Sequence, residues 1–272
     1  MLIDGSKIPN SLVTDIITFF DKNFSGGYDL VTAQRNAPKT SVRVSGIFGT
    51  ISGILMIIAT STLNTILDML SKASEIMDEI SSALDKNDYS TAVDLASSLK
   101  TYGSKIVGLS GNLWIYLLFA AIFLIIFSIG FFSLKELKGS AIGTGVLLII
   151  SSIFIIFYGL TLSGALYSFG KSLSSAADVV INGDFDAWVD AVSGIVAAEI
   201  ALQGAQIFSF VLIILLLITS ILALITLRKY GKISLVGAIF MIIGSLLWMA
   251  RAFASVFGLG IILVGIDFMR KG

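Results

Sequence analysis

The chain has 272 residues, of which 56% are hydrophobic and 13% charged, with 18 basic and 18 acidic side chains. A soluble domain carries about 25% charged residues, so this composition excludes a water-facing surface of ordinary extent and requires lipid to cover part of the chain. The balanced charge carries no bias toward nucleic acid. The absence of cysteine and histidine removes disulfides, thiol catalysis, zinc–thiolate centres, histidine-held haem or copper and a histidine base from what this chain alone can provide.

The opening Met1–Lys7 lacks the basic-then-apolar run of a cleavable signal peptide, so the first internal apolar segment is expected to direct insertion. Residues 10–24 read as an amphipathic helix. Leu12, Val13, Ile16, Ile17, Phe20 and Phe24 share one face, opposite Asp15, Thr18, Asp21 and Lys22. Too short and polar to span, it is suited either to the membrane interface or to the protein's own inner surface. Gly26 and Gly27 end it, and a basic stretch with Arg35, Pro38, Lys39 and Arg43 follows.

Six apolar segments then succeed one another: Val42–Thr62, Asn112–Leu134, Ala141–Leu162, Ile207–Leu227, Ile233–Ala250 and Phe253–Met269. The first five approach the roughly 20 residues that a bilayer core requires. The sixth is short and carries Gly258, Gly260 and Gly265. Basic residues precede the first span and occupy the connections holding Lys135 and Lys138, and Arg228, Lys229 and Lys232. The positive-inside rule places these segments and the N-terminus in the cytoplasm of a cell-membrane protein. Arg270 and Lys271 fall on the same side if the last segment crosses, which favours six spans over five.

The long connections 63–111 and 163–206 are acidic and fall on the opposite side. In the first, Leu63, Ile66, Leu67, Leu70, Ile76, Met77, Ile80 and Leu84 recur at three and four, so span one is expected to continue outward as an amphipathic helix. Asn87-Asp88 turns the chain, with Asp88 as N-cap of a returning helix bearing Tyr89, Val93, Ala96 and Leu99. The second connection repeats the design: Phe169, Leu173, Ala177, Val180 and Ile181 lead out. Asn182-Gly183-Asp184 turns, and Phe185, Trp188, Val189, Val192 and Ile195 return.

At an offset of 96, Asp88, Tyr89, Val93, Asp94 and Ser97 match Asp184, Phe185, Val189, Asp190 and Ser193. At 94, Lys138 and Gly143 match Lys232 and Gly237. The chain therefore reads as an all-α, polytopic helical membrane protein of about six transmembrane helices with two extracytoplasmic helical hairpins and an internal repeat. Residues 1–41 form the cytoplasmic or interfacial segment, 42–134 and 135–227 two span–hairpin–span units, and 228–272 a truncated third.

Candidate chemistry is sparse. Arg251 and Asp267 are the ionisable residues nearest a span, and both read as interface anchors in preference to coupling sites. Asp184-Phe185-Asp186 with Asp190 lacks the ligand spacing of a calcium loop, so Asp184 reads as a helix cap. Neither catalytic residues, a cofactor site nor a metal site is expected. Gly46, Gly49, Gly53, Gly139 and Gly143 are candidates for helix packing or assembly. Tyr89 and Trp188, at matching hairpin tips, are candidate external partner contacts, with packing inside their own hairpin the favoured reading. Trp114 suits an aromatic belt. These features point to a non-catalytic structural or accessory membrane protein, assembling with itself or with other membrane subunits in the lipid bilayer. An oligomeric channel or passive transporter is the alternative. It would need a polar face along several spans, and Ser128, Ser151, Ser152 and Ser245 supply only scattered hydroxyls.

Overall fold

The computed structural model describes residues 39–134, 138–247 and 253–271. The 10–24 segment, Lys135 and Arg251 lie outside the described residues. Both prolines, Pro9 and Pro38, precede the first described residue. Nothing thereafter removes a backbone donor or clashes with the preceding turn, and the helices run accordingly long: α1 Lys39–Asp85, α2 Tyr89–Phe132, α3 Lys138–Ile181, and α4 Trp188–Leu227 after a single 3-10 turn at Phe185–Ala187. At 1.5 Å per residue the 47 residues of α1 make a rod of about 70 Å. The apolar segment 42–62 and the amphipathic stretch after it are thus one unbroken helix, and α3 continues past Leu162 in the same way. The shorter α5, Lys232–Leu246, and α6, Phe253–Lys271, complete the described fold.

Four of these helices, α1 to α4, are long and apolar enough to cross a membrane. The 15 residues of α5 reach only about 22 Å, less than the roughly 30 Å hydrocarbon core.

Two turns have the same construction. Asn87 (φ 57°) and Gly183 (φ 78°) are left-handed. At the first, Asp88 N–H donates to Ala83 C=O (2.9 Å) and Asn87 N–H to Leu84 C=O (3.0 Å). At the second, Asp184 N–H donates to Val179 C=O (3.1 Å) and Gly183 N–H to Val180 C=O (3.0 Å). Both are Schellman motifs, which satisfy the last carbonyls of a helix while reversing the chain. Asn and Gly are the residues that tolerate the left-handed position.

Asp88 then caps α2, accepting from the backbone N–H (3.2 Å) and hydroxyl (2.7 Å) of Thr91. Asp184 occupies the equivalent place before the 3-10 turn but makes no side-chain cap bond. The expectation that it caps its helix is met in position only.

The helices pack in chain order, each on the next, and α6 returns to α1. All six contribute to one core, where Met56, Leu124, Leu148, Leu212, Met241 and Ile261 meet. A second core belongs to α1–α4 alone and continues along the halves that meet at the Asn87 and Gly183 turns, through Ile66, Ile80, Leu99, Ile106, Leu173 and Trp188. A six-helix level therefore gives way to a four-helix level.

The two hydrogen bonds from Thr91 hold the Asp88 carboxyl below its usual range, hydroxyl first, with nearby Lys86 acting in the same direction. A group whose pKa is lowered by folding stabilises the fold above its unfolded value, about 3.9 for Asp, and loses that effect as pH falls through the native value. Asp88→Ala is expected to lower the thermal midpoint at pH 7, and its difference from wild type to close as pH drops below about 4. Thermal melts across that range decide the point; a gap unchanged at acid pH would remove the carboxylate as its source.

Candidate functional site

A chain without nucleophile motifs has its candidate sites on its helix faces, where side chains either consume one another internally or remain available. The glycine positions separate these cases. A methyl added to Gly46 would meet the Gly265 carbonyl at 2.5 Å, and one added to Gly53 would meet the Gly258 carbonyl. The relation is reciprocal, since Gly265 and Gly258 face the carbonyls of Gly46 and Gly53 at 2.6 Å. Seven residues apart on each helix, these are two rungs of an antiparallel α1–α6 contact in which backbones approach too closely for any side chain.

Gly49 seats the Phe127 ring of α2, 2.5 Å from where its Cβ would stand. These three glycines are therefore occupied within the chain. Among the described residues Gly139 has no neighbour within 4 Å of a Cβ placed there, and Gly143 makes only ordinary contact, with Leu222 at 3.5 Å.

Other close approaches escape a reading of small-xxx-small spacing along one helix. Gly103 of α2 lies against Gly170 of α3, and Gly237 of α5 against Gly260 of α6. The signal was present in Gly258, Gly260 and Gly265, whose presence weakens the last segment as a span but supplies its docking surface on two helices.

Hydroxyls make a second set of internal contacts. Ser52 donates to the Ala120 carbonyl (2.8 Å), joining α1 to α2, and Ser163 donates to the Ser110 carbonyl, joining α3 to α2. Between α3 and α4, Thr144 and Thr226 hydroxyls stand 3.3 Å apart and Ser151 and Thr219 hydroxyls 3.2 Å apart, a two-rung seam at seven-residue spacing. Ser220 and Ser245 join α4 to α5 at 3.3 Å. Among the described residues, every buried side-chain nitrogen or oxygen has a partner. In lipid an unpaired polar group costs several kcal/mol, and these hydroxyls avoid that cost by bonding to their own helix four residues back or to a neighbour.

The turns at Asn87 and Gly183 tie to one another. Tyr89 is 45% exposed, yet its ring stacks on Phe185 at 4.5 Å and its hydroxyl donates to Asn87 Oδ1 at 2.9 Å. Trp188 is only 5% exposed and its indole N–H donates to Ser81 Oγ on α1 at 3.3 Å. Lys100 on α2 pairs with Asp178 on α3 at 2.7 Å; both are half exposed, so the pair contributes about 0.2–1 kcal/mol. Trp114 is half buried, its ring beside Gly159.

Asp267, read from the sequence as an interface anchor, is instead buried. It accepts from the Ser234 N–H (3.2 Å) and from the Ser234 hydroxyl, so α6 supplies an acceptor to the first turn of α5 and places a negative charge at its N-terminus. Lys271 stands 3.6 Å from the same carboxylate, donates to the Tyr230 carbonyl and lies 4.9 Å over the Tyr230 ring.

A small apolar cavity of about 30 Å³, lined by residues including Met56, Ala59, Leu113, Leu162, Leu212 and Phe257, sits where six helices become four. It has room for about one water-sized group. Among the described residues no three Asp or Glu side chains gather as metal ligands. The arrangement can hold helices at close range.

Fold and surface together define an all-helical protein with four helices built to cross a membrane, that is, a multi-pass membrane protein. No family model matches the chain, and no curated protein or solved structure matches it.

Two substitutions test the division between occupied and free glycines. Gly53→Ala drives a methyl into backbone and is expected to cost about 1–3 kcal/mol. Gly139→Ala is expected to stay within about 0.5 kcal/mol. Unfolding by SDS in mixed micelles measures both. In the same assay a double-mutant cycle of Thr144→Val and Thr226→Val should give a coupling of about 0.6 kcal/mol, and additivity of the two would mean that the hydroxyls do not interact.

Proposed function

We propose that this chain is a non-catalytic structural or accessory membrane protein that assembles with itself or with partner subunits of a larger membrane complex. The observation that carries the reading is the internal accounting of polar groups. The hydroxyls a pore would need, Ser128, Ser151, Ser152 and Ser245, are fully buried. Each is bonded to its own helix or its neighbour. A channel lining would instead leave such groups facing a water-filled path. The spans serve as scaffold, and the outer halves of α1–α4 stand clear of the bilayer as a docking bundle.

The same reading has six passes, with α5 and α6 crossing as a short pair, the hairpin tips outside the cytoplasm and the N-terminus within it. Support comes from the alignment of α5 and α6 with the inner, apolar level of α1 through the Gly46–Gly265, Gly53–Gly258 and Gly237–Gly260 contacts. The basic residues Arg228, Lys229, Lys232, Arg270 and Lys271 all belong to one end of this level. Units 42–134 and 135–227 are read as copies. Their turns share a Schellman construction at the 96-residue offset, and Tyr89 and Phe185, equivalent under that offset, stack on each other.

Native mass spectrometry of the assembly, purified gently from its own membrane, tests the function. Stoichiometric companions or a defined homo-oligomer are expected, and a monomer free of partners would overturn the reading. The cysteine-free background lets single cysteines test topology: Ser90→Cys and Leu247→Cys should react with an impermeant maleimide from outside, and Ser140→Cys only after permeabilisation. Protection of Leu247→Cys from both sides would turn α5 and α6 into a hairpin that returns without crossing.

A further inference from the structure

The outer halves of α1, α2 and α3 are water-facing as their composition leads one to expect. Across 63–111 and 163–206, the exposed large hydrophobic residues are Tyr89 and Tyr167 from those helices and Val189, Val196 and Ile200 from α4. Tyrosine carries its own polar tip; the three aliphatic residues do not. They are 76%, 52% and 63% exposed, and they lie on one face, continued by Ile207 at 69%.

That face has a heptad period. Ser193, Ile200, Ile207, Ile214 and Ile221 recur every seven residues, and Val189, Val196, Gln203 and Phe210 recur between them. All nine are exposed. Ile195, Ala198, Ala205, Leu212 and Leu216 are buried on the opposite face, where α4 meets its own bundle. A helix that has already buried one face, and carries on the other an a/d seam of Ile and Val, has the pattern of one strand of a coiled coil.

The occupant is narrowed by three features. The seam runs without a break from the lipid-facing Ile214 and Ile221 into the segment beyond the span, so its partner must lie beside α4 in both solvents. That requires a membrane-crossing helix that continues outward, as the 40- to 47-residue helices of this chain do. Charge also fits a second copy. Asp190 and Glu199 are the charged residues of α4, and in a parallel pair both flank the seam. Glu199 stands opposite Gly204 of the second copy, five positions on in the flanking register, and the position five before Asp190 is the uncharged Phe185 in the 3-10 turn ahead of α4, so no carboxylate meets a carboxylate. A cytoplasmic or soluble partner could cover only the outer part. Finally, Ser193 and Gln203 are two polar positions in the seam that pair with themselves only in the aligned register, the device by which coiled coils select parallel, in-register pairing.

We propose that two copies of this chain associate through α4, parallel and in register about a two-fold axis along the membrane normal, with Val189, Val196, Ile200 and Ile207 at the contact. The proposal deepens the assembly reading above and rests on it.

The test is disulfide trapping in native membranes. Val196→Cys and Ile200→Cys are each oxidised in the otherwise cysteine-free chain, with Glu79→Cys, exposed on α1, as the control. Side chains at such seam positions bring Cα atoms within the 4.4–6.8 Å that a disulfide spans. The expected result is a covalent dimer at 196 and at 200, at least tenfold above that at 79. Ile200→Asp, at a site too exposed to disturb the fold, is expected to abolish dimers in native mass spectra. Failure of both seam cysteines while native spectra still show a homo-oligomer or companions would overturn the α4 contact and leave the assembly reading standing. Linkage of these cysteines to a different protein would likewise overturn the second copy as occupant. A monomer in the spectra, without trapping, would overturn both.

Discussion

The requirement that every backbone polar group be satisfied within the chain governs this structure. Lipid offers no hydrogen bonds, so a crossing segment must be a helix whose bonds are all internal. From Lys39 onward the chain holds no proline to interrupt those bonds. Helices of 40 to 47 residues follow, and they pass from an apolar level into a polar one without changing conformation. The composition of the faces changes along them; the backbone does not. Two of the turns, those that end α1 and α3, are similar in build, each closing a long helix by the same pair of hydrogen bonds around a left-handed Asn or Gly.

The same constraint shapes side-chain packing. Helices in lipid gain nothing from excluding water from one another, so close contact must come from shape and from hydrogen bonds. Glycine gives the shape at the α1–α6, α2–α3 and α5–α6 crossings, where carbonyls stand where a Cβ would be. Ser and Thr give the bonds, most of all along the Thr144–Thr226 and Ser151–Thr219 seam. Asp267 extends the principle to a charge. Although buried, it is held by Ser234 at a helix N-terminus and by Lys271 one turn on, so its burial is compensated on both counts.

Much of this was legible residue by residue, and the failures have a common source. Asp88 as a cap, the reversals at Asn87 and Gly183, and the unbroken passage of span one into its extension all depend on local bonding, which a sequence displays directly. The partners of a helix face are not local. Gly46 and Gly53 announce a close approach but not that Gly265 and Gly258 are its other side. Tyr89 and Trp188 look alike at their tips, yet one stacks at the surface on Phe185 and the other is buried against Ser81. Asp267 beside Arg270 and Lys271 resembles a residue at the water boundary, because the proximity of Ser234 cannot be seen along the chain.

The amino-acid sequence by itself determined the class of the protein, the helical state of nearly every described residue, the positions of the two major reversals and the absence of histidine and cysteine chemistry. Each follows from composition or from interactions spanning a few residues. Tertiary structure alone decided which glycines and hydroxyls are spent inside the chain, that Asp267 turns inward, and that the N-terminal half of α4 leaves an apolar face exposed. Those outcomes depend on which helix lies beside which. In a chain of uniformly apolar helices many pairings satisfy the same periodicity, and only the fit of backbones at Gly–Gly crossings and the pairing of buried hydroxyls choose among them.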